Sequence, residues 1–287
     1  MSNITGKTRM GGFMASPASH SISPLMYNTA FEALGIDYVY LAFDINQDQL
    51  ATGIETIRTM NWFGANVSMP NKIKVIEYLD GLSEGAALIG AVNTIVQEDG
   101  QLIGHNTDGI GFCNHLRTEG VVIEDTTMTL LGAGGAAAAM VCQAALEGMK
   151  AIHIFNRKGA NFDAMEEKIQ EITAQTQCQV TIHELSDTQV LAQALAASNL
   201  LTNATSVGMK AVESPLADLT LLRPDLIVYD AIYHPKETLL LKSAKAVGAQ
   251  AINGLGMLLY QGAAAFKLYT GQEMPIALIQ EVIEADE

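Results

Sequence analysis

Apolar residues along this chain keep two alternating rhythms. Short runs rich in branched and aromatic residues, at 10–14, 36–45 and 91–96, read as strands. Between them lie stretches with apolar positions three or four apart. Tyr27, Ala30, Phe31 and Leu34 mark one helix, stopped by Gly35, and Leu50, Ile54 and Ile57 mark the next. Ser23 followed by Pro24 reads as an N-cap with proline at the first helical position. An apolar run at 62–65 leads into Asn66-Val67-Ser68-Met69-Pro70-Asn71-Lys72. Ile73, Ile76 and Leu79 then predict a helix ending near Gly81. Pro70 suits its first position, which puts Lys72 in the first turn. Asp99-Gly100 is a hairpin signal, and the return strand runs through Leu102 and Ile103 to Asn106-Thr107-Asp108, where a further helix opens. Strands alternating with helices predict an α/β domain.

From residue 126 the alternation sharpens. A strand at 127–131 runs into Gly132-Ala133-Gly134-Gly135-Ala136-Ala137, then an alanine-rich helix at 138–146 and a second strand at 151–155. The loop fits the G-x-G-x-x-A dinucleotide fingerprint in its strand–loop–helix setting. Gly132 permits the tight turn, Gly134 lets the backbone approach a pyrophosphate, and Ala137 keeps helix and strand close. A NAD-preferring site places an acidic residue at the end of the second strand, where this chain has Asn156-Arg157-Lys158. Two cations there suit the 2′-phosphate of NADP; a solvated basic turn is the plain alternative. Strands at 200–201, 226–230 and 251–253 run into loops that contain Lys210, Tyr233 and Gly254. Such loops form the ligand crevice of an open parallel sheet. Helices at 257–270 and 274–283 close the chain.

With 287 residues, 49% hydrophobic and 16% charged, the chain has material for two packed domains and no sign of disorder. No apolar run reaches the ~18–20 residues of a membrane span. The N-terminus lacks a charged-then-apolar signal pattern. Cys113, Cys142 and Cys178 are an odd number without metal spacing, and the six histidines are scattered. No metal site and a reducing, cytoplasmic setting are therefore expected. The net charge of −15 argues against nucleic acid or anionic membrane as partner. It also repels small anions at long range, so a basic residue inside a motif is informative.

A helix N-terminus disfavours a cation by ~0.3–1 kcal/mol. A lysine in a first turn is therefore an odd choice, unless it exchanges a proton during a reaction. Lys72 is a candidate for that role, beside the plainer reading of a solvated side chain. His20, Ser21 and Ser23 stand before a helix N-terminus, a position suited to holding a carboxylate or several hydroxyls. Asp108 reads either as an N-cap or as a functional acid.

Seven stretches in order carry a family resemblance. They are His20-Ser21-Ile22-Ser23-Pro24, residues 66–72, Gly90-Ala91-Val92-Asn93-Thr94, Asn106-Thr107-Asp108, the glycine loop, Asn156-Arg157, and Gly254-Leu255-Gly256-Met257 with Gln261. Together they resemble the shikimate dehydrogenase family, and more closely its quinate/shikimate branch, over nearly the whole chain. The resemblance implies an α/β substrate-binding catalytic domain over 1–110 and 256–287. It implies a doubly wound Rossmann-type nucleotide domain over 111–255, with an active-site cleft between the two. Lys72 and Asp108 would be the catalytic pair. Ser21, Ser23, Ser68, Asn93, Tyr233 and Gln261 would hold the substrate carboxylate and hydroxyls. Gly132, Ala133, Gly134, Gly135, Ala136, Asn156, Arg157, Lys158, Lys210 and Gly254 would contact the cofactor. The implied reaction is reversible oxidation of shikimate to 3-dehydroshikimate, in aromatic amino acid precursor metabolism. Quinate is a second candidate substrate, NADP the preferred cofactor with NAD accepted, and the assembly a monomer or homodimer.

Two positions depart from the family pattern. Ser68 stands where many members carry threonine. Gly159 follows residues 156–158 where dual-cofactor members carry an acidic residue, which leaves the NAD side less supported. Two alternatives stay open. A methylenetetrahydrofolate dehydrogenase-like enzyme also joins a nucleotide domain to a catalytic lysine, but leaves the serine pair unexplained. A metabolite-binding protein without turnover leaves Lys72 and Asp108 unexplained.

Overall fold

The computed structural model describes residues 4–210 and 212–286. The chain divides into two units, Met1–Thr107 with Leu259–Glu287, and Asp108–Leu258. In the first, β1 (Arg9–Ala15), β2 (Tyr38–Asp44) and β3 (Gly64–Val67) are parallel, connected by α1 (Ser23–Leu34) and α2 (Leu50–Thr59). β4 (Gly81–Leu82), α3 (Glu84–Ile89), β5 (Thr94–Glu98) and β6 (Gln101–His105) follow, and the sheet order is β2-β1-β3-β5-β6-β4. β5 runs antiparallel to both β3 and β6. That reversal puts the C-terminal ends of β1, β3 and β6 and the N-terminal end of β5 on one edge. One sheet face packs Met14, Ala65, Val67 and Ile95 against Leu50, Ile54 and Ile57 of α2. The other face is aromatic. Tyr27 and Phe31 of α1 meet Tyr40 of β2 and Phe63 just before β3, and Phe266 and Tyr269 of the helix Leu255–Thr270. Each such ring contributes ~1.5–3 kcal/mol by full burial.

The second unit opens on α4 (Asp108–Thr118). Its strands are β7 (Thr127–Leu131), β8 (Ala151–Asn156), β9 (Gln179–Glu184), β10 (Leu200–Asn203), β11 (Ile227–Asp230) and β12 (Gln250–Asn253). All are parallel, in the order β12-β11-β10-β7-β8-β9. This is the order of a doubly wound dinucleotide fold, reversing between β7 and β10. β10 is buried throughout, as a strand covered on both faces should be. The helices are α5 (Gly135–Leu146), α6 (Ala160–Gln175), α7 (Thr188–Ala197) and α8 (Leu239–Ala246), and α9 (Leu255–Thr270) and α10 (Ile276–Asp286) end the chain.

Three local expectations shift. Ser23 is not an N-cap: α1 begins on it, Ile22 holds the cap position, and no side chain caps this helix. The Ser23 hydroxyl is therefore not spent on capping. The helix expected over 73–79 is a 3-10 helix of five residues, Lys74–Tyr78. The apolar stripe that predicted it is not a buried face, since Ile73 is 72% exposed while Val75 is buried. Lys72 lies in the turn before it, so the helix-terminus argument for its proton does not apply. The strand expected at 91–96 starts instead at Thr94, which leaves Asn93 at its entrance. Among the described residues, no helix is long and apolar enough to cross a membrane, and no group of three metal-ligating side chains gathers.

Candidate active site

Main-chain bonds fix the loops at the polar edge of the first unit. The Ser68 N–H donates to the Met14 carbonyl at 3.0 Å, and the Ser16 N–H to the Met69 carbonyl at 3.1 Å. The loops leaving β1 and β3 thus hold each other. Asn71 is buried, and its amide donates to the Ile45 carbonyl at 2.7 Å. The Lys72 carbonyl accepts from the Val92 N–H at 2.8 Å, which sets Lys72 beside the residue preceding Asn93.

Asn93 is the hub of this edge, with 3% exposure. Its Oδ1 accepts the Thr107 N–H at 2.8 Å, the Thr94 hydroxyl at 2.8 Å and the Thr107 hydroxyl at 3.2 Å. Its Nδ2 donates to Thr107 Oγ1 at 2.9 Å and to Gln261 Oε1 at 3.4 Å. Asn66 supports it from behind. Asn66 Nδ2 donates to the Asn93 carbonyl and to Thr94 Oγ1, and its Oδ1 takes the Tyr40 hydroxyl at 2.7 Å. Such a network is rigid because each buried polar group left unmade costs ~1–3 kcal/mol. The Tyr27 hydroxyl donates to the Gly262 carbonyl at 3.2 Å, tying the helix that carries Gln261 to α1. Ser21 and Ser23 are half-buried at the start of α1, and Ser21 Oγ accepts the Ser23 N–H at 3.3 Å.

The structure thus gathers Ser68, Lys72, Asn93 and Gln261, and sets Ser21 and Ser23 on the loop between β1 and α1. Thr107, Asn66 and Thr94 join the network without having been assigned a role from the sequence. Their signal was a polar residue in an otherwise buried apolar strand or its end. Asp108 is the first residue of α4, where its charge suits the helix dipole. Tyr233 belongs to the second unit, 45% exposed on the loop after β11.

In the second unit, the glycine loop after β7 and residues 204–208 after β10 flank the order reversal. Gly132 has φ +113°, and a Cβ there would come 2.9 Å from Thr205 Cγ2 and 3.0 Å from the Ala204 carbonyl oxygen. A Cβ at Gly134 or Gly135 would meet nothing within 4 Å. Gly134 caps α5 without a side chain, so the first-turn N–H groups, which lack intrahelical partners, face open space. These residues fit the pyrophosphate of a dinucleotide. Asn203 and Asp230 brace the neighbouring loops. Asn203 Oδ1 takes the Thr205 N–H and hydroxyl, and its Nδ2 donates to Asp230 Oδ1 at 2.9 Å. Asp230 also accepts the Ile232 N–H and the Thr238 hydroxyl. Burial raises the Asp230 carboxyl above its ordinary range, and these three donors pull it back.

Arg157 and Lys158 are exposed beyond β8. The Lys158 ammonium sits 3.8 Å over the Phe162 ring, which leaves Arg157 as the better placed cation for a phosphate. Lys210 is exposed on the loop after β10, and Gly254 immediately precedes α9.

Comparison with known proteins covers the whole chain. Residues 13–95 match the shikimate dehydrogenase substrate binding domain, and residues 254–284 the shikimate 5'-dehydrogenase C-terminal domain. Shikimate dehydrogenase (NADP(+)) of Streptococcus equi subsp. zooepidemicus (strain H70) is 46% identical over 291 residues, covering 100% of this chain and 99% of the relative. The crystal structure of shikimate 5-dehydrogenase from Listeria monocytogenes, in complex with shikimate and NAD, superposes with a TM-score of 0.96 at 46% identity, over 99% of each chain. Quinate dehydrogenase from Corynebacterium glutamicum, in complex with NAD, follows at a TM-score of 0.86 and 27% identity, over 97% of this chain and 99% of that one.

Proposed function

The chain belongs to the shikimate dehydrogenase family, and on that premise we propose that it oxidises shikimate reversibly to 3-dehydroshikimate, using residues at the polar edge of the first unit. The folate-type and non-catalytic alternatives are displaced by matches spanning the whole chain. The observation that carries the site assignment is the buried Asn93 fork, which joins the Lys72 loop to Gln261. Lys72 takes the proton of the 3-hydroxyl during oxidation and returns it in reduction. Asp108 completes the catalytic pair. Ser21, Ser23, Ser68, Asn93, Tyr233 and Gln261 hold the substrate carboxylate and hydroxyls. When bound, NADP supplies the hydride acceptor. Residues 132–136 hold its pyrophosphate, with Asn156, Arg157, Lys158, Lys210 and Gly254 along its length. NADP is the preferred cofactor and NAD is accepted. Quinate is the second substrate we infer, supported by the likeness to quinate dehydrogenase from Corynebacterium glutamicum. Purified protein given NADP and shikimate should form NADPH, read by its absorbance. Absence of any shikimate-dependent signal would sink the reading.

Two predictions separate the roles. Ser21→Ala and Gln261→Ala should each weaken shikimate by ~0.5–1.5 kcal/mol, or ~1.5–3 where the carboxylate is the partner. NADP binding should be unchanged, as titration of each ligand into each variant will show. Equal losses for both ligands would mark the residue as structural. Arg157→Ala should raise the KM for NADP much more than that for NAD, because a guanidinium can grip a phosphate in two bonds. The chain's −15 charge opposes the more anionic cofactor at long range. A contact of a few ångströms outweighs a field screened over ~8 Å. Equal harm to both cofactors would show that Arg157 reads no phosphate.

A further inference from the structure

The glycine motif at 254–257 contains a second glycine, Gly256, for which the cofactor assignment gives no reason. The reason lies in α4. The His115 ring is pressed against Gly256, and a Cβ there would fall 2.1 Å from Nε2. Any side chain at 256 would displace the imidazole. His115 Nδ1 lies 3.0 Å from the hydroxyl of Tyr229 on β11, with the ring planes crossing at 74°. Tyr229 is fully buried. Phe112 of α4 braces the Tyr229 ring edge-on at 5.0 Å. Glu119, one turn after His115, places a carboxylate oxygen 3.7 Å from Nε2.

These contacts fix the direction of each bond. The Glu119 carboxylate beside Nε2 can only accept, so Nδ1 faces Tyr229 as the acceptor of its hydroxyl proton. The imidazole proton then sits on Nε2, on the side of Glu119. Burial pushes the His115 pKa down, against a smaller opposing pull from Glu119, and so favours this neutral form. Burial pushes the Tyr229 pKa up, so the phenol keeps its proton. An imidazolium would instead point an N–H at the phenol and take away the acceptor of its proton.

We propose that His115 and Tyr229 are positioning residues for cofactor binding: they clamp the start of α9 so that residues 254–257 meet the cofactor. The clamp joins α4 and β11 to the first residues of α9, all within the second unit. It rests on the assignment of Gly254 to the cofactor made above. It also accounts for Gly256, which leaves room for the imidazole and need not touch the cofactor.

The test titrates NADP into wild type and four variants, His115→Leu, His115→Asn, Tyr229→Phe and the Leu/Phe pair. Melting temperature, kcat and the KM for shikimate are recorded alongside. Loss of one buried hydrogen bond should raise the NADP dissociation constant about 3–10-fold in His115→Leu and in Tyr229→Phe. The double variant should be no weaker than the worse single, because both remove one bond. His115→Asn should stay within about twofold of wild type, since its amide oxygen can take the Tyr229 proton. At saturating NADP, kcat and the KM for shikimate should hold. Tyr229→Phe keeps the ring packing and carries the test if His115→Leu does not fold. Wild-type NADP affinity in Tyr229→Phe, additive losses in the pair, or an Asn variant as weak as the Leu variant would overturn the proposal. A wild type that binds NADP without turning over shikimate would overturn the functional reading, and the titration would still decide this one.

Discussion

Lys72→Ala is expected to lower turnover about 10²–10⁴-fold, the usual worth of one acid–base group, while the fold survives. The reason lies in how the loop is held. The Lys72 carbonyl, bonded to the Val92 N–H, is main chain and persists in alanine. The bonds of Ser16, Ser68 and Asn71 are likewise independent of the lysine side chain. What is lost is the amine that takes the substrate proton. Turnover and thermal melting should be measured on the same sample. A folded variant with turnover within a few-fold of wild type would end the assignment of Lys72.

Asn93→Ala should act on both stability and substrate. Three donors converge on Asn93 Oδ1, from the Thr107 N–H and from the Thr94 and Thr107 hydroxyls. The hydroxyls can turn to other acceptors. The buried Thr107 N–H cannot, and an orphaned donor costs ~1–3 kcal/mol. With the lost bonds to Thr107 and Gln261, the expected destabilisation is roughly 2–4 kcal/mol. Shikimate should bind more weakly as well, because Gln261 loses its fixed partner. Asn93→Asp is the informative companion, since it keeps the acceptor and removes the Nδ2 donor. Its stability should fall between wild type and alanine, while its shikimate binding should be as poor as that of alanine. Denaturant unfolding and shikimate titration check the pair. Destabilisation of Asn93→Ala below about 0.5 kcal/mol would show that the fork is not a structural hub.

The nucleotide unit was the more legible half. β7, the glycine loop, α5 and β8 follow one another within 30 residues, and each is marked by local chemistry. Buried parallel strands announce themselves as apolar runs, and glycines mark the turn that only they can make. The first unit was harder around residues 70–90. There the spacing of Ile73, Ile76 and Leu79 imitates an amphipathic helix, yet Ile73 faces solvent. The short α3 is set by Ser83, whose hydroxyl accepts the Ala86 N–H, and by Gly90 at φ +74°, signals too small for a periodicity argument. Ser23 misled for a related reason. A serine before a proline satisfies the cap pattern whether or not its side chain caps.

Long-range polar contacts were the least legible. The bond between Asn93 and Gln261 joins residues 168 apart, and no local pattern announces it. Family resemblance named both residues, but the reason for their pairing, a buried amide satisfied on every side, appears only in three dimensions. The same holds for Lys158. Its charge reads as a phosphate contact in the sequence, and the structure engages it over Phe162.

One measurement bears on the whole account most directly. Shikimate carrying deuterium at the carbon that bears the 3-hydroxyl is incubated with the protein and NADP, and the nucleotide product is analysed by mass. The expected result is NADPH that has gained the deuterium, formed together with 3-dehydroshikimate, and formed at least about 100-fold more slowly by Lys72→Ala. NADPH without the label, or labelled NADPH formed equally fast by Lys72→Ala, would contradict it.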